Sequence, residues 1–452
     1  MTLNTLLKIL LNVKGATVDD VEVDNQVSGL VLTAHVHIRK KERNRCPVCG
    51  KKCNVHDYIA GESLWRSMGF GPVKVWISAR VPRVRCPEHG VLSAAVPWAK
   101  QNSHFTLDFA RSVAWMVMSG LSKTRVALWF MIDWKTVGRL VDLVWHELEP
   151  NIKNRYDGLK KIGIDETSYK KGHSYITTVV NHETNTVIWT HDGHGKAIID
   201  LFFKELTPEQ RDSIEVVTGD GARWITDSIA EYCPHANRCI DPFHVVEWAT
   251  NALDSVRLVA WKRAYIKWKK MKKPDNGDKE AKEARKAAKK LADDIKNAKY
   301  ALGKNPENLT ANQQERLAVI QEEDGPLNRA RILKEQLRLI FKIKDVNEAS
   351  EALDKWLSHA QRCRLPPFVE LQSKIRRHRE HILNTIRYGA SNARIEALNN
   401  KIKLLIRVAY GFRNIDAMIS LIMLFCSNIT IPKPSTDAPM RINIGSNDCS
   451  VA

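Results

Sequence analysis

Apolar and polar residues alternate along this chain in two rhythms, and the rhythm changes several times. Before residue 100, "VKVWISARVPRVRC" alternates apolar and polar positions, the pattern of a half-buried strand. From residue 105 to 145 the period becomes helical. In "FTLDFARSVAWMVMSG" the residues Phe105, Phe109, Val113 and Met116 form a stripe that Gly120 ends. "KTRVALWF", a break at "MID" and "WKTVGRLVDLVWHEL" follow, predicting a helix-turn-helix whose second helix starts near Asp133. Lys135, Thr136 and Arg139 then lie near the start of the recognition helix and are candidate DNA contacts.

Strand patterns return after residue 156. "LKKIGIDETSY" reads as a strand, and "GHSYITTVVNHETNTVIWTHDG" as two strands around a turn at Asn181 to Asn185. "GKAIIDLFFKEL" is helical, "SIEVVTGDG" a strand, "ARWITDSIAEYC" a helix, "ANRCIDPFH" a strand and "VVEWATNALDSVRLVAW" a long helix. The order βββαβαβα predicts a mixed sheet with helices packed on it, the arrangement of ribonuclease H-like nucleases. Residues 261 to 360 break this order with lysine-rich helical sequence, an all-helical insertion with an exposed hairpin or loop around Pro274 to Gly277. A solvated face is the default reading of such a run, and phosphate contact the second. From Ala393 to Ala409, residues Ile395, Leu398, Ile402, Leu405, Ile406 and Ala409 share one helical sector, with Glu396, Asn400, Lys403 and Arg407 as the neighbouring stripe. The tail after Ile431 has no core pattern and is expected to be mobile.

Composition narrows the partner. The 452 residues are 44% hydrophobic and 27% charged, as in a folded chain of several domains, and the net charge of +19 favours a polyanion. No apolar run reaches the ~18 residues needed to span a bilayer, and no convincing signal peptide opens the chain, so a membrane is the weaker partner and a cytoplasmic location is expected. Nine cysteines, four of them before residue 90, fit metal or thiol chemistry better than a disulfide framework. Cys46 and Cys49 form one knuckle and Cys86 with His89 another, so two tight turns offer four ligands to a tetrahedral structural zinc. Cys53 and His56 are a rival pair. Arg43, Arg45, Arg80, Arg83 and Arg85 surround the knuckles with charge suited to phosphates.

Two acids stand out on the predicted sheet. Asp165 alternates with Ile162 and Ile164 on the first strand, and Asp220 ends the fourth, where Gly219 and Gly221 are expected to let the backbone turn. Those strands are neighbours in a ribonuclease H-like sheet, and two close carboxylates call for a cation such as magnesium. Glu396 alone would be an ordinary surface partner of nearby bases. With Asp165 and Asp220 it completes a two-metal constellation, flanked by Lys403 and Arg407 for the DNA backbone.

The chain resembles bacterial insertion-sequence transposases of the DDE class, in the group that joins an N-terminal zinc-binding domain and helix-turn-helix to a ribonuclease H-like domain with a helical insertion. The resemblance covers nearly the whole chain and rests on "CPVCG", "RCPEHG", "IGIDETSYKKGHSY", "VVTGDG", "DPFHVVEWA" and "SNARIEALNNKIKLLIRVAYGFRN". It departs at His89, where many relatives have cysteine. It implies that Asp165, Asp220 and Glu396 form a catalytic triad holding two magnesium or manganese ions, and that the N-terminal region recognises terminal inverted repeats in double-stranded DNA. It also implies cleavage and strand transfer into target DNA, and a homodimer to bring two ends together. Within "DPFH", Asp241 reads as a helix cap and His244 as a phosphate-positioning residue or a sheet-edge contact. The expected domains are 1–100 zinc-binding, 101–155 helix-turn-helix, 156–260 first catalytic part, 261–365 insertion, 366–430 second catalytic part and 431–452 tail. A catalytically silent DNA-binding regulator and a structure-selective nuclease on the same fold are the competing readings.

Overall fold

The computed structural model describes residues 13–26, 29–151, 155–170, 172, 174–273, 278–389, 393–408, 412, 414–432 and 439–440, the side chains of 151, 393–396 and 439–440 excepted. Pro274 to Gly277 and most of the tail lie outside them. The described residues divide into two compact units, one up to Arg155 and from Ile402 on, the other Tyr156–Lys401.

In the first unit, β1 (Ala16–Gln26), β2 (Gly29–Ile38), β4 (Ser63–Phe70) and β5 (Val73–Ala79) form one sheet in the order β1-β2-β5-β4. A second sheet, β3-β6-β7, joins β3 (Asn54–Tyr58), β6 (Pro82–Cys86) and β7 (Gly90–Ser93). The single strand expected over "VKVWISARVPRVRC" is thus two strands that change sheet at Arg80 and Val81. Their shared core holds Val36, Ile77, Val84 and the edge-to-face pair Trp65 and Trp98, whose ring centroids lie 5.5 Å apart.

Three helices follow, α1 (Leu107–Met118), α2 (Lys123–Phe130) and α3 (Trp134–Leu148). Each begins with a side chain that accepts a backbone N–H: Thr106 from Phe109, Ser122 from Arg125, and Asp133 from Lys135 and Thr136. A cap of this kind contributes ~1 kcal/mol, which is why the helix starts were readable. Phe109, Val113, Val126, Val137, Val141 and Val144 are buried at the centre of this bundle.

The second unit is built on a five-stranded sheet. β8 (Lys161–Lys170), β9 (Ser174–Asn181), β10 (Thr186–Asp192), β11 (Val216–Gly219) and β12 (Asn237–Ile240) take the order β10-β9-β8-β11-β12. β8 runs antiparallel to β9 and parallel to β11, and β11 runs parallel to β12. Helices α4 (Lys196–Glu205), the short α5 (Pro208–Asp212) and α6 (Arg223–Tyr232) connect these strands, so the βββαβαβα order appears with one extra turn of helix. Ile162, Ile164, Val217, Phe202, Phe203 and Ile229 form the core between sheet and helices.

Helix α7 (Pro242–Lys270) runs 29 residues without a break. The insertion therefore does not start at a joint near residue 261. The helix leaving the sheet becomes the first helix of the insertion, because from Phe243 to Lys270 there is no Pro or Gly to end it. Helices α8 (Lys279–Asn297), α9 (Lys299–Gly303), α10 (Ala311–Glu323), α11 (Gly325–Ile340), α12 (Val346–Arg362), α13 (Pro366–Arg377) and α14 (Arg379–Tyr388) complete a bundle whose apolar core is continuous with Ile240 and Val245. Helix α14 covers the edge strand: the Thr385 hydroxyl donates to the Ile240 carbonyl at 2.7 Å and accepts the Ile240 N–H at 3.0 Å. Helix α15 (Ala393–Val408) follows, and α16 (Ile415–Cys426) packs on α3 and α1 in the first unit. There the Ser420 hydroxyl donates to Asp142 at 2.6 Å. No described helix is long and apolar enough to cross a membrane.

Candidate active site and metal centre

The cysteines settle first. Cys46, Cys49, Cys86 and His89 each bring one ligand atom within 4.8 Å of the others. The sulfurs of Cys49 and Cys86 are 3.7 Å apart, and His89 Nδ1 is 3.8 Å from Cys46 Sγ and 3.5 Å from Cys86 Sγ. A tetrahedron with Zn–S bonds of ~2.3 Å has edges of ~3.8 Å, so the donor set fits zinc. Both knuckles close on a glycine in the left-handed region, Gly50 at φ +70° and Gly90 at φ +74°. Burial opposes ionisation of Cys86, yet the N–H groups of Glu88 and His89 and the neighbouring thiols bring it down to about 7, towards the thiolate that a metal needs. Neither rival joins the set of four, although the Cys53 thiol lies close enough to Cys86 to interact with it. Cys53 donates to the Lys51 carbonyl, and His56 is bonded to Arg85 at 3.3 Å.

The acids sit where the sheet changes direction. β8 and β11 are adjacent, and their register pairs Thr218 with Gly163. Two residues further along each strand, Asp220 comes level with Asp165. The glycines flanking Asp220 serve space rather than a turn, contrary to the expectation from sequence. Neither has positive φ, but a Cβ on Gly221 would lie 2.4 Å from the Trp248 ring, and one on Gly219 would lie 2.9 Å from Ile225 and 3.1 Å from the Ile164 carbonyl. Beneath them Arg238, buried, donates to the carbonyls of Asp220 and of Cys239, the latter at 2.6 Å. Burial draws that guanidinium down to about 10, against the pull of Asp220. Sequence reasoning did not single out Arg238.

Asp165 is held from two sides. Its carboxylate accepts the Glu166 N–H at 2.9 Å and the side-chain amide of Asn399, whose own oxygen accepts from the Thr167 hydroxyl at 3.2 Å. Burial raises Asp165 above the ordinary carboxylate range; the Glu166 N–H, Asn399 and the charge of His244 oppose this, and Asp220 adds to it. Glu166 is raised as well, by burial first, with the Gly195 N–H in opposition and Asp220 again adding. Asp165, Asp220, Glu166 and His244 therefore share one electrostatic neighbourhood. Glu396 lies in α15, and its side chain, with those of Ile395 and Ala409, lies outside the described residues. Along the same helix Leu398, Asn399, Ile402 and Leu405 are buried, while Asn400, Lys403 and Arg407 are exposed. Asn399, buried and polar, is the residue that the periodicity missed: it falls on the core side, where an apolar residue is the usual choice.

Three family models match successive parts of the chain. Residues 42–89 match a zinc finger of the transposases of IS204, IS1001, IS1096 and IS1165, residues 94–145 the helix-turn-helix domain of transposase family ISL3, and residues 162–422 a transposase model. The transposase for insertion sequence element IS1557 of Mycobacterium tuberculosis is 43% identical over 422 residues, covering 93% of this chain and 94% of that protein. The chain belongs to the ISL3 family of transposases. A more distant relative, the transposase for insertion sequence element IS1001 of Bordetella parapertussis, is 24% identical over 82% of this chain and 85% of its own length.

In this ISL3 transposase the helix-turn-helix residues are not equally available. Lys135 and Arg139 are exposed, but Thr136 is buried, its hydroxyl donating to Asp133 and accepting from Arg139 at 2.7 Å. Thr136 therefore belongs to the cap of α3 rather than to its free surface. Asp241 caps α7 by accepting the Phe243 N–H at 3.1 Å, and His244 meets Glu247 of its own helix at 3.4 Å.

Proposed function

We propose that this transposase binds the terminal inverted repeats of its insertion sequence and cleaves and joins DNA strands at a site formed by Asp165, Asp220 and Glu396. The observation that carries this reading is the bond from Asn399 to Asp165. Glu396 precedes Asn399 by three residues in the same helix, so the anchoring of Asn399 at Asp165 supports a third carboxylate close to the first two.

Magnesium or manganese held by these carboxylates would supply an activated water, and later an activated 3′ hydroxyl, while offsetting charge on the leaving oxygen. The chain's own part is positional. Asn399 and the Glu166 N–H fix the Asp165 carboxylate, the charge of His244 bears on that same carboxylate, and Arg238 braces the backbone at Asp220. Lys135 and Arg139, with the arginines around the zinc centre, supply backbone contacts to the repeats, and Lys403 and Arg407 contacts beside the catalytic helix. A homodimer would bring two ends together. The test is magnesium-dependent cleavage of repeat-bearing duplex DNA by the native chain and by Glu396→Gln, with end binding measured in parallel.

A further inference from the structure

The insertion carries a charge pattern that zinc, repeats and catalysis leave unused. From Lys262 to Lys273 every charged residue of α7 and its extension is a cation, and the partner helix α8 adds Arg285, Lys286, Lys289 and Lys290. Three of these cations lie against aromatic rings. Lys269 Nζ lies 5.0 Å from the centroid of Trp268, and Arg285 and Lys289, from the other helix, each lie 5.8 Å from it. Trp268 contacts Tyr265 at 5.5 Å, Tyr265 contacts Trp261 at 6.1 Å, and Lys296 lies 5.7 Å from Trp261. Two helices thus converge their charges on one aromatic stripe.

A solvated helix face ordinarily mixes acids with bases and pairs them at i,i+4. Other cations of the bundle do find acid partners: within the run itself Arg263 pairs with Asp324, and beyond it Arg257 pairs with Asp254 at 2.6 Å and Arg316 with Asp294 at 3.2 Å. Among the described residues no carboxylate pairs with Lys267, Lys269, Lys270, Arg285, Lys286, Lys289 or Lys290, although α8 itself contains acids. The like charges gather and stay uncompensated. Cations laid over rings are also partly ordered in advance, so less side-chain freedom is lost when they meet a partner.

We propose that this face of the α7–α8 hairpin is a second DNA-binding surface, which grips duplex DNA through its phosphates without reading bases. The partner is double-stranded because the indole of Trp268 is already engaged by cations and orders charge, leaving little open ring for stacking on unpaired bases. The inference goes beyond the cleavage reading and needs only that the chain acts on DNA.

The experiment measures binding of the full chain to a labelled random-sequence duplex, and to the same sequence as a single strand, across a salt series. Two variants are compared with the native chain: Lys267→Gln, Lys269→Gln, Lys286→Gln and Lys289→Gln together, and a charge-matched control of Lys304→Gln, Lys342→Gln, Lys344→Gln and Lys355→Gln. The hairpin variant is expected to bind duplex at least tenfold more weakly near 0.1 M salt, with the slope of log K against log salt reduced by about 2 to 3; the control is expected to stay within about twofold of native. A set of Lys→Arg changes at the hairpin positions should retain native binding and guards against loss of fold. An unchanged slope, an equal loss in the control, or a loss confined to the single strand overturns the proposal. Cleavage of repeat-bearing DNA by the same native preparation reports separately on the catalytic reading, which can fail while the salt slopes differ, or hold while they do not.

Discussion

Asn399 donates a hydrogen bond to the carboxylate of Asp165 across 234 residues of chain. The bond ties α15 to β8 and fixes which way one lone pair of the acid points. Asn399→Ala removes the tie while sparing every proposed metal ligand. We expect its cleavage rate to fall about 10- to 100-fold with end binding unchanged, as for outer partners of metal ligands. A native rate, measured on repeat-bearing duplex in magnesium, would show the bond to be incidental.

The acids themselves should behave more severely. Asp165→Asn, Asp220→Asn and Glu396→Gln should each lower strand cleavage by at least about 10³-fold, because each removes charge where metal is proposed to sit. Repeat binding, followed by gel shift, should stay within about twofold. Persistent magnesium-dependent nicking by any of the three would remove that residue from the triad.

Zinc predictions concern structure rather than chemistry. The double change Cys46→Ser and Cys49→Ser deletes two of the four ligands, so purified protein should lose its stoichiometric zinc by elemental analysis. Binding to repeat ends should weaken with it. Exchanging Cys53→Ser should leave zinc content at the native level, since that thiol bonds the Lys51 carbonyl instead.

Gly221 is a packing position. A methyl there meets the Trp248 ring at 2.4 Å, so Gly221→Ala should destabilise the second unit by about 1 to 3 kcal/mol and disturb Asp220 next to it. Thermal unfolding reads the first effect, and cleavage the second. A variant with native melting and native cleavage would mean that Trp248 yields without cost.

Lys123 gives a pH dependence. It is buried at the start of α2 with its Nζ 3.7 Å from the ring centroid of Phe412, and desolvation lowers it from 10.5 to about 8. Between those values the unfolded chain binds the proton and the folded chain does not. This lysine therefore makes stability rise with pH from about 8 to 10.5, and its full penalty is present below about 8. Lys123→Met should flatten that part of the curve and stabilise the chain at pH 7 by about 1 to 2 kcal/mol, once the lost cation–π contact is allowed for. Denaturant unfolding of both chains at pH 7, 8.5 and 10 checks it; parallel curves would refute the assignment.

The helix-turn-helix was legible because Thr106, Ser122 and Asp133 cap locally and the apolar stripe repeats within one helix. The zinc ligands were legible for the same reason, each knuckle being a turn of a few residues closed by a glycine. Asp165 and Asp220 needed one more step, the inference that their strands are neighbours, which the β8–β11 pairing bears out. Other features had no local signature. Nothing in "GDG" distinguishes a glycine needed for a turn from one needed to admit Trp248, and nothing in "NRC" announces a guanidinium enclosed beneath Asp220. Helix α16, apolar around most of its surface, carries no mark of which partner it will meet, and it packs on α3.

By itself, then, the amino-acid order determined the helix-turn-helix, the strands β8 to β12 with their connecting helices, the zinc knuckles and the family, because periodicity, capping and ligand spacing are all short-range properties of the chain. Tertiary structure decided which buried groups face one another: Asn399 at Asp165, Arg238 at Asp220, Trp248 at Gly221. Such pairings depend on how distant surfaces fit and on which polar groups find partners once water is excluded, and no window of sequence contains both sides of that contact.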